Sequence, residues 1–252
     1  MIELASFAGR HALELMAATL LIAECIACGA FRIGRARVLP FNAGAGIGMV
    51  IITAAVAGFA AVTHALLSGP ALNRFDLAFA LDLGAAVPRE VKHAFAVVTH
   101  LGDPWWLAVC CTAGVIALLS RRHALLACAL AVASGGNGLL NMTLKQSIRR
   151  ARPDYDTAFA SVHSWSFPSG HTSGSLATYG AIAYVLVRTL PARWRLPVVL
   201  FTVVLVGVIA WSRLIIGVHF ASDVLAGALS STAWLTACVL IAECLRRRAI
   251  SR

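Results

Sequence analysis

Seven stretches of about 20 mostly apolar residues, near 11–31, 44–68, 101–120, 124–144, 171–190, 197–212 and 219–245, dominate this chain. That length is what a helix needs to cross the roughly 30 Å hydrocarbon layer of a membrane. The composition fits: 60% of the 252 residues are apolar and 13% charged, against about 45–50% and about 25% in soluble domains. A soluble globular enzyme is thereby excluded. The expected fold is all-α, a polytopic bundle of membrane helices. The segment 69–100 mixes Pro70, Asn73, Asp76, Asp82, Pro88, Arg89, Glu90 and Lys92 with apolar residues, so it is expected to be a re-entrant or interfacial connection.

The formal charge of +10 does not mark a nucleic-acid binder, because the basic residues sit in short clusters between apolar runs and form no continuous stripe. Counting Lys and Arg by loop sets the orientation. Arg32, Arg35, Arg37, Arg121, Arg122, Arg188, Arg193, Arg195, Arg246, Arg247, Arg248 and Arg252 fall on one set of helix ends, twelve in all. The other set holds nine, of which Lys145, Arg152 and Arg213 belong to chemistry, leaving six. The first set is expected to be cytoplasmic, with residues 1–10 outside and the C-terminus inside. Met1-Ile2-Glu3 has no basic lead-in, so the first apolar run is expected to be retained and not cleaved as a signal peptide. The seven cysteines all fall in apolar runs and read as small hydrophobes.

The second set of ends carries unusual chemistry in three pieces: Lys145 to Arg152-Pro153, Pro168-Ser169-Gly170-His171, and Ser212-Arg213 to His219 and Asp223. All lie at helix ends on one expected side. Arg152 and Arg213 offer planar forks for phosphate oxygens, and Lys145 adds a point charge. Ser169 precedes an apolar run as a helix N-cap would, so the amides of Gly170 and His171 should face an anion at that helix N-terminus. His219 and Asp223 stand four apart on one helix face. The carboxylate can hold one imidazole nitrogen and leave the other nucleophilic. His171 can supply a proton to a leaving oxygen.

These pieces resemble the signature of the type 2 phosphatidic acid phosphatase superfamily, KxxxxxxRP, then PSGH, then SRxxxxxHxxxD, with every position filled in order. The likeness covers roughly residues 41–252 and includes Thr99 to Pro104, similar to a stretch that often opens the second core span. It implies a six-helix core, a phosphohistidine mechanism without metal or other cofactor, and a lipid phosphate or diphosphate substrate. It also implies roles: His219 as nucleophile, Asp223 as its orienter, His171 as general acid, and Lys145, Arg152, Ser169, Gly170 and Arg213 as phosphate ligands. Residues 1–40 would then be an additional transmembrane helix and basic cytoplasmic loop ahead of the core.

Outside the motifs, Ser134, Asn137, Asn141 and Lys145 share one helix face. Hydrogen bonding between helices beside Gly135, Gly136 and Gly138 is the favoured reading; a polar track holding Lys145 toward the site is the other. Glu24, deep in the first run, is expected to bond to a neighbouring helix. His163 and Trp165 could shape a substrate entrance, and Asp154 and Asp156 could balance charge or cap the loop. No His, Cys or carboxylate grouping has metal-ligand spacing. The expected protein is a bacterial inner-membrane phosphatase with an extracytoplasmic site. Undecaprenyl diphosphate is the first-choice substrate, ahead of phosphatidylglycerophosphate, phosphatidate and lipid A phosphate. The alternative is a lipid or anion transporter that binds in the same pocket without cleavage.

Overall fold

The computed structural model of the chain describes residues 1–36, 41–153 and 164–250, and among these every regular element is helical. In order they are α1 (Ile2–Arg10), α2 (Ala12–Ala36), α3 (Phe41–Leu67), α4 (Pro70–Ala86), α5 (Arg89–Val98), a 3₁₀ turn (Thr99–Gly102), α6 (Pro104–Ser120), α7 (Ala124–Ile148), α8 (Gly170–Thr189), α9 (Ala192–Ile215) and α10 (Ala221–Ile250). Arg37, Asp154, Asp156, His163 and Arg252 lie outside the described residues.

By length and composition α2, α3, α7, α9 and α10 are apolar enough to cross a membrane. The protein is an integral membrane protein. α5 with its 3₁₀ turn and α6 are long and apolar enough to cross only as a pair, bent by 43° where they meet. The cause is local, since Asp103 is extended and Pro104 opens α6, where a missing N–H costs nothing. Taken with α5, the third apolar run starts earlier than its expected position at 101. Within the segment expected to be a connection, α4 packs against α1, α3, α9 and α10 and is not among the candidate spans.

The most polar of the long helices sits at the centre. α8 packs against α6, α7, α9 and α10 and buries Thr172, Ser173, Ser175 and Thr178 together with Ala177, Ala181, Ala183 and Val185. Small and hydroxyl side chains suit this place, because they let neighbouring backbones approach and bond across helices. Ser231 of α10 donates to the Ser173 carbonyl at 2.8 Å, and the hydroxyls of Ser134 and Thr178 join α7 to α8 at 2.7 Å. At the opposite end Glu243 of α10 accepts from Tyr184 at 2.8 Å and from Arg246 at 2.9 Å, with Arg188 3.3 Å away. Both ends of the α8–α10 pair are thus fastened.

The first two helices attach separately. α2 lies on α9, where Trp211 donates to the Thr19 hydroxyl at 3.0 Å. α1 was not apparent from hydropathy; it buries Ala5 and Gly9 against α4. Glu24 is half-buried on α2 and forms none of the hydrogen bonds or ion pairs among the described residues, so the bond expected of it is not made.

Gly227 of α10 holds the tightest backbone approach near the motif helix: a Cβ there would stand 2.7 Å from the Ser169 carbonyl oxygen. Main chain cannot rotate away as a side-chain tip can, so Gly227→Ala must push α10 off the start of α8. The expected cost is about 1–3 kcal/mol, together with loss of activity. Thermal unfolding in detergent checks it, and an unchanged midpoint would show that the two helices separate freely.

Candidate active site

All three motifs converge at one end of the bundle. α7 delivers Lys145 from its last turn and stops at Arg149, whose left-handed backbone (φ 52°) turns the chain so that Arg150 and Arg152 enter the site. α8 begins under Ser169, whose hydroxyl accepts from the Thr172 amide at 3.4 Å and the Thr172 hydroxyl at 3.0 Å, the expected N-cap. The Ser169 amide itself donates to the Asp223 carbonyl oxygen at 2.9 Å. α9 supplies Arg213, the following loop His219, and the first turn of α10 Asp223.

His219 is buried between opposite partners. Arg152 Nη1 lies 3.1 Å from its Nε2, and Asp223 Oδ2 lies 3.4 Å from its Nδ1. A guanidinium can only donate, so Nε2 carries the lone pair and Nδ1 the proton. The tautomer left open in the sequence is therefore defined by the neighbours. Burial holds His219 well below the usual histidine range; the positive charges of Arg152 and Arg213 push the same way, against the pull of Asp223.

Asp223 is the most heavily bonded carboxylate here. Its Oδ2 accepts from the Ser166 hydroxyl and from the Phe220 amide at 2.9 Å, and its Oδ1 from Arg150 Nη1 at 2.7 Å. Arg150 then extends the network: Nη2 donates to Asp76 Oδ2 at 2.7 Å and to Asn73 Oδ1 at 3.0 Å, while the guanidinium carbon lies 4.2 Å from the centre of the Phe220 ring. Asp76, on α4, also accepts from the Ser222 amide at 3.1 Å and from the Ser222 hydroxyl. Burial pushes the Asp76 carboxyl up, against the bonds from Ser222 and Arg150.

The other side of the site repeats the arrangement. His171 Nε2 lies 2.8 Å from Asp103 Oδ1, and Asp103 also receives His100 at 2.7 Å and Trp105 at 3.2 Å. Arg213 donates to the Thr99 hydroxyl at 2.7 Å, and its buried Nε has no acceptor among the described residues. Lys145 donates to the Trp165 carbonyl and, at 3.4 Å, to that of Ser166. Arg152 Nε is held by the Ser164 carbonyl at 2.7 Å. Together, Lys145, Arg152, Gly170, His171, Arg213 and His219 line the head of a cavity of about 740 Å³. Its lower walls are Leu107, Ala108, Cys111 and Val115 of α6 and Ala131, Gly135 and Gly138 of α7. Ala108, Ala131, Gly135 and Gly138 are exposed, so the cavity opens sideways between α6 and α7. A charged head over an apolar, laterally open slot fits an anion carrying a hydrocarbon chain.

Sequence reading missed three participants. Arg150 enters only as one unnamed member of the nine charges on its set of helix ends, Asp76 only as a polar residue of a connection, and Asp103 only within the Thr99 to Pro104 stretch. The double basic residue ahead of Arg152 and the Asp103-Pro104 helix start were the available signals. Of the shared face on α7, Ser134 and Asn141 do bond to α8, Asn141 donating to Ser173 at 3.0 Å. Asn137 does not. Among the described residues no three His, Cys, Asp or Glu side chains group as metal ligands.

Fold and cavity define an integral membrane protein with a site for a lipid-borne anion, and comparison with known proteins gives the class, phosphoric ester hydrolases. Residues 123–247 match the PAP2 superfamily. Phosphatidylglycerophosphatase B of Bacillus subtilis (strain 168) is 36% identical over 135 residues, covering 52% of this chain and 64% of that protein. Lipid A 1-phosphatase of Rhizobium johnstonii is 32% identical over 199 residues, 67% of this chain and 75% of that protein. The crystal structure of a transmembrane PAP2-type phosphatidylglycerolphosphate phosphatase from Bacillus subtilis superposes with a TM-score of 0.69 at 27% identity, covering 75% of this chain and 94% of that one. The chain belongs to the PAP2 superfamily, and the transport alternative gives way to a phosphatase.

The Asp76 contacts yield a direct test. Removing one partner of a buried ion pair costs about 3–5 kcal/mol, and here the orphaned group would be the guanidinium that also holds Asp223. Asp76→Ala should therefore lower both the unfolding midpoint and kcat, while Asp76→Asn, whose amide oxygen still accepts from Ser222 and Arg150, should be milder. Equal and unimpaired kcat and midpoints in both variants would show that Arg150 needs no second carboxylate.

Proposed function

We propose that this protein hydrolyses the phosphate of a lipid phosphate through a phosphohistidine on His219, without a metal ion, at the extracytoplasmic face of a bacterial inner membrane. The observation that carries the reading is the aim of His219: Nδ1 is turned to Asp223 and the lone pair of Nε2 to the cationic head of a lipid-shaped cavity. Nε2 attacks phosphorus in line, and the bond from phosphorus to the leaving oxygen breaks. Arg152, now capping Nε2, turns to a phosphate oxygen with Arg213, Lys145 and the Gly170 and His171 amides, which spread the charge of the transition state. Ser169 holds that helix start in place. His171 enters the step as the imidazolium with its Nε2–H held by Asp103: its Nδ1 proton passes to the leaving oxygen, and the neutral ring then takes a proton from the water that releases phosphate from His219. Asp223 balances the imidazolium character of His219 during transfer.

Relatives named for phosphatidylglycerophosphate and for the 1-phosphate of lipid A support acylated lipid phosphates as substrates, ahead of the undecaprenyl diphosphate expected from the sequence. The extracytoplasmic assignment rests on the loop charges, since the site lies at the end of the bundle that carries fewer Lys and Arg.

Three measurements test the reading. Labelled phosphate should be trapped on the wild-type protein in excess chelator and be absent from His219→Ala, while His171→Ala should retain turnover of an activated ester whose leaving group needs no proton; for other substrates the acid contributes roughly 10²–10⁴-fold. A normal phosphoenzyme yield from His219→Ala would eliminate it as nucleophile, and metal-dependent turnover would eliminate the metal-free route. Because His219 is held below the usual histidine range, its nucleophilic form persists as the pH falls through 6.5. The acid limb of kcat/KM, once the phosphate's own ionisation near pH 6 is divided out, should lie below that value; a limb at 6.5 would mean a solvated nucleophile. With native cysteines removed, Ser68→Cys at the site end should react with an impermeant thiol reagent on intact cells and His123→Cys should be protected. The reverse pattern would place the site on the cytoplasmic leaflet.

A further inference from the structure

Asn137 is 1% exposed, lines the cavity, and has neither its amide Nδ2 nor its carbonyl Oδ1 hydrogen-bonded to any described residue. Its neighbours on the same face are all engaged: Ser134 with Thr178, Asn141 with Ser173, and Lys145 with the Trp165 and Ser166 carbonyls. A buried amide without partners costs the full desolvation of both its polar ends, and an apolar residue of similar shape would pack there without that cost. The structure accordingly leaves two hydrogen-bonding positions inside the slot that the phosphate site does not use.

Their depth identifies what they meet. Asn141 lies level with the phosphate-binding end, since a Cβ on Gly170 would stand 3.2 Å from its Oδ1. Asn137 is one helical turn deeper, about 6 Å along α7. Roughly that far from the phosphorus of a glycerolipid phosphate stands the ester carbonyl joining its acyl chain. An isoprenyl phosphate or diphosphate carries hydrocarbon at the same depth. Below Asn137 the walls are Cys111, Val115 and Ala131 with Ser134 and Thr178, whose hydroxyls are spent on each other, surroundings that suit an acyl chain past its carbonyl.

We propose that Asn137 is a specificity-determining residue, donating from Nδ2 to the linkage carbonyl of an acylated lipid phosphate and penalising chains that offer only hydrocarbon there. The proposal rests on the lipid phosphatase reading and names which lipid phosphates that site selects. No bond is made or broken at Asn137, so its effect is one of binding and placement.

The test uses the full-length protein in detergent and three substrates: diacylglycerol phosphate with ester links, its dialkyl ether analogue of the same chain length, and farnesyl phosphate. Ester and ether differ at the carbonyl. Wild type should favour the ester over the ether by about tenfold in kcat/KM, the worth of one buried hydrogen bond, and should favour it over farnesyl phosphate. Asn137→Val should bring the ester-to-ether ratio near one and raise relative turnover of farnesyl phosphate, while Asn137→Thr, of the same shape as Val but with a hydroxyl, should keep part of the ratio. An ester-to-ether ratio near one in wild type, a preference for farnesyl phosphate, or an unaltered ratio in Asn137→Val would each overturn the assignment. The wild-type ratios decide it even if neither variant folds. Hydrolysis of p-nitrophenyl phosphate by wild type separates the two levels: turnover with no ester preference sinks only Asn137, whereas no release of phosphate from any substrate sinks the phosphatase reading itself.

Discussion

A carboxylate buried behind a histidine at the edge of a membrane must be neutralised where it stands, and in this protein Arg150 does so. Its guanidinium lies 2.7 Å from both Asp223 and Asp76, two acidic groups that would otherwise repel each other and pull in protons. Three parts of the chain meet there: α4, the turn after α7 and the first turn of α10. With Asp223 fixed from one side by Arg150 and from the other by Ser166 and the Phe220 amide, His219 has one orientation and one tautomer. The bond from the Ser169 amide to the Asp223 carbonyl carries the same order into the start of α8. His219, its support and the N-terminus of α8 are consequently parts of one connected assembly, the condition for stabilising charge without reorganisation.

The remaining half of the site hangs on a break in the bundle. If α5 and α6 formed one straight helix, Asp103 would be an ordinary helical residue; the bend exposes it at a helix start beside His171. Thr99, on the turn just before the break, takes one arm of Arg213. His171 and Arg213 are thereby both tied to the break, one through Asp103 and the other through Thr99. The cavity head thus holds two histidine–aspartate pairs from different parts of the chain, His219 with Asp223 and His171 with Asp103.

Much of this was legible in the sequence, for identifiable reasons. Hydropathy locates spans because lipid imposes a length and a composition on every helix that faces it, and the three motifs are short segments whose spacing survives folding. Ser169 could be read as an N-cap because capping is local. Arg150 paired with Asp76 and His171 paired with Asp103 are separated by 74 and 68 positions, and no periodicity links such residues. α1 escaped notice because nine residues are too few for a hydropathy signal, although Gly9 allows close packing on α4. Asn137 was grouped correctly with its polar neighbours, yet only coordinates separate an amide bonded to the next helix from one bonded to none.

The polarity of α8 also bears on how the chain enters a membrane. A segment is retained in a bilayer during synthesis largely according to its own transfer free energy, to which each apolar side chain adds a few tenths of a kcal/mol, and α8 is not among the helices apolar enough to cross unaided. It is held across helices by α7, through the Ser134 and Thr178 hydroxyls, and by α10, whose Ser231 donates to the Ser173 carbonyl. One of those partners is made before α8 and the other after it. Stable residence of the Ser169-Gly170-His171 helix therefore waits until α10 has left the ribosome, so that the catalytic half of the protein inserts as a cooperative group and a chain halted before about residue 231 holds α8 only provisionally.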